Sequence, residues 1–255
     1  GNWWFSIDYP SLDDAQLHVV VDGQVLRTVR MGDHLVVYER PAHTRTHAVE
    51  IQLPDSGTPE LWLRVRTTGP MLLPMRLERT DQFMVSENQV SVAQGIAFGF
   101  GLCLLMYTIS AFVFTREPLY IWYSLAVGAT TLFFVGYSGI GPLHLWPDSH
   151  WLTQKMLLLT TLTTLGTGSY FVERSLNIRT ISPFLGRALL VVGSFALLVA
   201  LGFGLDVLDY RATITITGIL GPLPMLLSIP AAYRRARMGY KAAYWTFAGF
   251  VMYLF

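Results

Sequence analysis

The densest recognition chemistry in this chain lies in one short run, Glu60-Leu61-Trp62-Leu63-Arg64-Val65-Arg66-Thr67. Alternation with period two sets Leu61, Leu63 and Val65 on one side of a strand and Trp62, Arg64 and Arg66 on the other. An indole beside two guanidinium groups can stack on a sugar ring or clamp a carboxylate. The plainer alternative is that Trp62 packs against loops while the arginines are solvated. Tyr38, Glu39 and Arg40, just before Pro41, form a second candidate, with Tyr38 and Arg40 as its recognition groups. His43 and His47 are four apart, but they sit in the loop-like PAHTRTH, where no helix aligns them. No metal site and no other cofactor is expected. The sequence has no Gly-rich phosphate loop, no Ser-His-Asp grouping with context and no paired catalytic carboxylates, so no catalysis is visible in these 255 residues.

The elements that position Trp62 and its neighbours read as β. Leu17, Val19 and Val21 alternate with Gln16 and His18, and Val49, Ile51 and Leu53 alternate with Glu50 and Gln52. Asp22-Gly23 between two such runs predicts a two-residue hairpin, because the turn type matching strand twist needs positive φ at both positions. Further turns are marked by Tyr9-Pro10, Gly32-Asp33, Arg40-Pro41, Pro54 through Pro59 and Gly69-Pro70. Residues 1–80 are therefore expected to form an all-β, sandwich or jelly-roll-like domain, small for its class. The chain opens at Gly1, and a signal sequence with more of this domain is expected upstream. Cys103, the single cysteine, falls in a hydrophobic segment, so no disulfide holds the head.

After residues 81–93, a connector, the pattern changes. Six windows carry no Asp, Glu, Lys or Arg: 88–115, 118–147, 156–172, 188–205, 212–233 and 242–255. A helix needs about 20 apolar residues to cross about 30 Å of hydrocarbon, and a soluble helix with one wet face would show charges every few positions. Residues 94–255 thus read as an all-α membrane bundle, with spans near 94–115, 119–140, 152–172, 188–205, 212–233 and a partial one at 241–255. Residues 1–90 hold 12 acids against 8 basic residues, a charge of −4, and the remainder 5 against 10, a charge of +5. Breaks one, three and five hold eight Lys/Arg (Arg116, Arg174, Arg179, Arg187, Arg234, Arg235, Arg237, Lys241), while two and four hold only Lys155 and Arg211. The positive-inside rule puts the basic breaks in the cytoplasm and the head outside. Trp146 and Trp151 then rim the outer side, and Tyr233, Tyr240, Tyr244 and Trp245 the inner one. Inside the spans the polar signal is hydroxyl: Thr160, Thr161, Thr163, Thr164, Thr167 and Ser169, then Thr213, Thr215 and Thr217. Gly95/Gly99 and Gly166/Ser169 offer close helix approach, and Pro222, Pro224 and Pro230 predict a kinked fifth span.

The runs GNWWFSIDYPSLDDAQLHVVVDGQ, GDHLVVYERP and LWLRVRTTGPMLLPMRL are similar to the extracellular β-sandwich module of the bacterial seven-transmembrane receptors with diverse intracellular signalling modules. QGIAFGFGLCLLMYTISAFVFTREPLYIWYSLAVG, YSGIGPLHLWPDSHW and YFVERSLNIRT resemble the first three spans of that family, with Gly139 and the Leu145-Trp146-Pro147 corner as recognisable parts. The resemblance implies a seven-span protein of the bacterial inner membrane with a periplasmic head of carbohydrate-binding-like fold. It implies a seventh span and a cytoplasmic enzyme, a diguanylate cyclase or histidine kinase, beyond these residues. Fold alone transfers no ligand, so a periplasmic and carbohydrate-like ligand remains an expectation carried by Trp62 and its arginines. Outputs of both types act in pairs, which implies a homodimer; membrane lipids are the other partner, and no nucleic acid is expected. A transporter or channel with an accessory periplasmic domain is the alternative. It is weakened by the uncharged windows, which lack the Asp, Glu, Lys and Arg that mark ion pathways. A membrane scaffold is weaker still, since it leaves the folded head without a role.

Overall fold

A computed structural model of the chain describes residues 1–54, 57–240, 243 and 244. The sixth expected span, about 241–255, with Lys241 and Trp245, lies almost wholly outside the described residues. The chain divides into two compact units: Gly1–Gly99 with Phe134–Leu157, and Phe100–Phe133 with the chain from Leu158 on.

In the first unit, six strands form two antiparallel three-stranded sheets. They are β1 (Asn2–Ile7), β2 (Asp14–Val21), β3 (Gln24–Met31), β4 (His47–Gln52), β5 (Pro59–Arg66) and β6 (Met75–Arg79). The orders are β4-β1-β6 and β3-β2-β5. The expected hairpin joins β2 to β3, with Asp22 at φ 51° and Gly23 at φ 78°. The inward positions of the alternation build the core: Phe5, Ile7, Leu17, Val19, Val29, Met31, Val49 and Ile51 are buried, and Leu61, Leu63 and Val65 pack against them. Burying such a side chain contributes about 1.5–3 kcal/mol, and a one-residue slip would turn the whole set outward, so the pattern fixes the register.

β6 ends at Arg79 and helix α1 (Thr80–Thr115) begins at the next residue. The connector 81–93 is therefore helical, the first turns of a 36-residue rod. At about 1.5 Å per residue the rod runs roughly 54 Å, well beyond the roughly 30 Å of hydrocarbon. Its charged start, Asp81 and Glu87, stays with the head. Helix α2 (Pro118–Tyr137) leads into a wide π-turn, Gly141–Leu145, and then α3 (His150–Leu176). Gly139 sits between them at φ +82°, and a Cβ there would lie 2.0 Å from the Arg45 carbonyl oxygen. Only glycine lets the exit of α2 come so close to the head's backbone. Trp146 of the Leu-Trp-Pro corner is buried at the end of the same turn.

In the second unit, α4 (Ile178–Ile181) precedes α5 (Pro183–Gly204), α6 (Tyr210–Leu220) and α7 (Pro222–Arg237). α5 opens with Ser182 accepting from the Leu185 amide and Pro183 at the first helical position. Asn177 at φ 47° and Asp206 at φ 60° end α3 and α5 in the left-handed conformation that stops helices. Where the fifth span is expected to kink, only Gly221 separates α6 from α7; it keeps right-handed helical angles and donates to the Thr217 carbonyl at 2.8 Å, and Pro222 opens α7. Four stretches among the described residues are long and apolar enough to cross a membrane: Thr80–Thr115, Pro118–Tyr137, Pro183–Gly204 and Tyr210–Arg237. The third expected span, 152–172, is helical within α3 but is not among these four, because its threonines dilute the apolar run. Those hydroxyls are largely satisfied within their own helices: Thr163 donates to the Leu159 carbonyl at 2.7 Å, and Thr167 to that of Thr163 at 2.6 Å. Gly166 of α3 and Gly193 of α5 meet face to face, the close approach the small residues predict. Stacked Trp122–Tyr170 and Tyr123–Phe171 pairs, at 4.2 and 4.7 Å, join α2 to α3. Arg235 of α7 donates to the carbonyls of Leu176 and Asn177 at 2.8 and 3.1 Å, capping the end of α3.

Candidate functional site

The sheet β3-β2-β5 turns one face to the core and leaves the other open. On the open face Trp62 stands opposite His18, Arg64 opposite Gln16, and Arg66 opposite Asp14. Trp62 is 62% exposed, and its indole N–H donates to Glu60 Oε2 at 2.8 Å. His18 Nδ1 and Thr28 Oγ1 share a hydrogen bond of 2.9 Å, and Arg30 Nε donates to Asp14 Oδ1 at 2.8 Å. Asp14 holds the Arg30 guanidinium above its ordinary pKa by that hydrogen bond and by its charge. Arg64 and Arg66 are exposed on the same side. The face is thus a flat aromatic-and-guanidinium surface on a central and an edge strand, suited to stacking and to charge-assisted hydrogen bonds.

The second candidate pair is split by its local backbone. Tyr38, on a 3₁₀ turn (Val37–Glu39), is 59% exposed. Arg40 turns inward, is only 7% exposed, and donates from Nε to the Leu35 carbonyl at 3.1 Å. Burial lowers its pKa from the usual value, while Asp33 opposes that shift. His43 and His47 do not form a pair: His43 is exposed, whereas His47 is buried with Nε2 donating to the Pro10 carbonyl at 3.1 Å. Burial, reinforced by the charge of Arg40, pulls the His47 pKa down to about 3.

Two groupings have no local signature. Asp13, Asp33 and His34 bring two carboxylate oxygens and a ring nitrogen within 4.8 Å of one another. Arg45, with its side chain 6% exposed, pairs with Asp8 at 2.8 Å and with Glu87 of α1 at 3.1 Å. Burial raises the Glu87 pKa, and Arg45 works against that rise. Beside this ion triad, Trp4 stacks on Phe83 of α1 at 4.5 Å, and Ser86 donates to Glu78 of β6 at 3.2 Å. The start of α1 is therefore clamped to the β4-β1-β6 sheet at Trp4 of β1 and Glu78 of β6, and through Arg45 to Asp8 just past the end of β1. The only sequence cue to either grouping was glycine or charge in a turn, and the partners lie 20 to 42 residues apart.

An antiparallel β head continuing into apolar helices of membrane length defines a membrane-protein class with a folded domain at its N-terminal side. The family model described as 7TM diverse intracellular signalling matches residues 91–255, and the one described as 7TMR-DISM extracellular 2 matches residues 1–79. The chain belongs to this family of seven-transmembrane receptors with diverse intracellular signalling modules, as its sequence resemblance implied. No curated protein and no solved structure matches it.

Proposed function

We propose that this chain is the sensing and membrane part of a bacterial inner-membrane receptor whose head lies in the periplasm. A ligand, carbohydrate-like or carboxylate-bearing, docks on the Trp62, Arg64 and Arg66 face. The response passes through the helices to a cytoplasmic diguanylate cyclase or histidine kinase, and the receptor acts as a homodimer. The observation that carries this reading is the direct join of β6 to α1 at Arg79-Thr80, with no loop to absorb motion. The Arg45 triad and the Trp4–Phe83 stack fasten the rod to the sheet, so a shift in the head must move α1. A binding domain that merely decorated a transporter would need no such rigid splice.

Two glycines inserted between Arg79 and Thr80 of the full-length receptor test the idea. Cytoplasmic output should become insensitive to stimulus, while surface expression and head folding persist. Unchanged stimulus response after the insertion would overturn mechanical coupling through α1. Solute uptake by the purified protein in liposomes would instead favour the transporter.

A further inference from the structure

We propose that Asp13, Asp33 and His34 form a binding site for a divalent transition-metal cation, with Zn²⁺ the fitting chemistry. Two carboxylates and one imidazole are the borderline donor set that Zn²⁺ takes, whereas Ca²⁺ prefers oxygen alone. Bonds of about 2.0–2.2 Å would hold donors roughly 3–4 Å apart, close to the present spread of up to 4.8 Å. His34 is exposed, so its ring can rotate to close the remaining gap.

The independent sign of a missing partner is Asp33 itself. It is 5% exposed, and its Oδ1 is buried with no hydrogen-bond partner among the described residues. An unpaired buried carboxylate oxygen is costly, and a cation in contact removes that cost. Burial first, then the charge of Asp13, pushes the Asp33 pKa up to about 6, with His34 and Arg40 opposing. Arg40 is the neighbouring fixed cation and acts on Asp33 through its charge, while its Nε donates to the Leu35 carbonyl rather than to Asp33.

The backbone is arranged to make the cluster. Gly32 sits at φ +141°, and a Cβ there would lie 2.3 Å from the Asp13 carbonyl oxygen, so only glycine permits this approach. The Asp33 amide donates to the Leu12 carbonyl at 2.8 Å and the His34 amide to that of Asp13 at 3.3 Å. Thr68 donates to Asp13 Oδ2 from both its amide and its hydroxyl at 2.6 Å. That orients the carboxylate from outside, as hydrogen bonds behind metal ligands do, and leaves Oδ1 for the metal. His150, at the start of α3, holds its ring edge-on to His34 at 6.0 Å. It is placed to supply a fourth donor or to bind the water that does.

The test uses the chelator-stripped chain in lipid nanodiscs, titrated with Zn²⁺ alone by calorimetry and checked by elemental analysis. One Zn²⁺ per chain is expected, undisturbed by millimolar Ca²⁺. Affinity should fall at least tenfold in His34→Ala, which alters an exposed side chain and leaves the fold intact, and further in the isosteric Asp33→Asn. Zn²⁺ should also raise the thermal midpoint of the wild type but not of His34→Ala. No bound Zn²⁺, equal affinity in both variants, or ready displacement by Ca²⁺ would each overturn the assignment.

Discussion

At the scale of single residues, exposure separates recognition from support. Trp62 projects from a strand whose opposite side is already in the core, so removing its indole takes away a stacking surface without opening a cavity. In the full-length receptor, Trp62→Ala should leave the melting temperature nearly unchanged, as surface substitutions usually do. The stimulus needed for half-maximal output should rise roughly fivefold, matching the loss of about 1 kcal/mol of stacking or cation–π contact. A variant that unfolds instead would mean the strand's faces are reversed. His47 makes the opposite case, a titratable group that the fold keeps neutral. Its folded pKa of about 3 lies below the unfolded value near 6.5, so the unfolded chain binds a proton that the native state refuses. Its contribution to stability is full above pH 6.5 and is lost as pH falls toward 3, at about 1.4 kcal/mol per pH unit. Asp33, whose folded pKa is raised to about 6, contributes the opposite slope between pH 6 and 4, so the test is a difference. In thermal melts between pH 7 and 4, His47→Gln, which can still donate to Pro10, should lose less stability than the wild type as pH falls, by about one proton's worth of slope.

At the scale of elements, the joint between sheet and helix decides what the head can transmit. Arg45 neutralises Asp8 and Glu87 in a half-buried niche, and removing one partner of such a group leaves the others desolvated and unpaired. Arg45→Met should destabilise the head by about 3 kcal/mol and loosen the first turns of α1. Hydrogen exchange should report faster amide exchange near Glu87 than in the wild type; equal protection would show that Trp4 and Phe83 hold the joint alone. Little of this joint was legible in the sequence. Alternation at Leu17 and Val19 and at Leu61 to Val65 displays core and open faces, because side chains in a strand must alternate. In β2 it stops at the register shift between Val19 and Val20, where Val20 rather than Val21 is buried. Asp22-Gly23 announces its hairpin by local backbone sterics alone. By contrast, Arg45 finds Glu87 across 42 residues, and Asp13 meets Asp33 only once β2 and β3 have folded back on each other. The Tyr38–Arg40 run failed as a unit for a local reason: its 3₁₀ turn sends one side chain outward and the other in. The connector expected at 81–93 is the first turns of one continuous helix, with Glu87 on it half-buried against Arg45.

For the whole molecule, the remaining questions are which side each end faces and how many copies act together. The charge asymmetry of the breaks sets the first expectation, in a Cys103→Ser background that removes the native thiol. A cysteine at Ser149, before α3, should label with an impermeant thiol reagent in intact cells, and one at Ser175 should label only after permeabilisation. The reverse pattern would invert the receptor. The number of copies turns on α1, whose apolar stretch is among the least buried surfaces of the described residues. Ile96 and Phe100 on it are 71% and 73% exposed, and among the described residues nothing lies within 4 Å of a Cβ built at Gly95 or Gly99. Residues 92, 95, 96 and 99 share one helical stripe, since positions three and four apart are neighbours. Two copies of that stripe, packed about a two-fold axis, would use the same small residues twice, as an isologous interface requires. Val92→Cys in the Cys103→Ser background should therefore form disulfide-linked dimers in native membranes under mild oxidation. Gly99→Ile should reduce that crosslink severalfold by holding the helices apart. A receptor that stays monomeric at position 92, and at cysteines placed in the head, would remove the dimer from the mechanism and leave α1 to signal within a single copy.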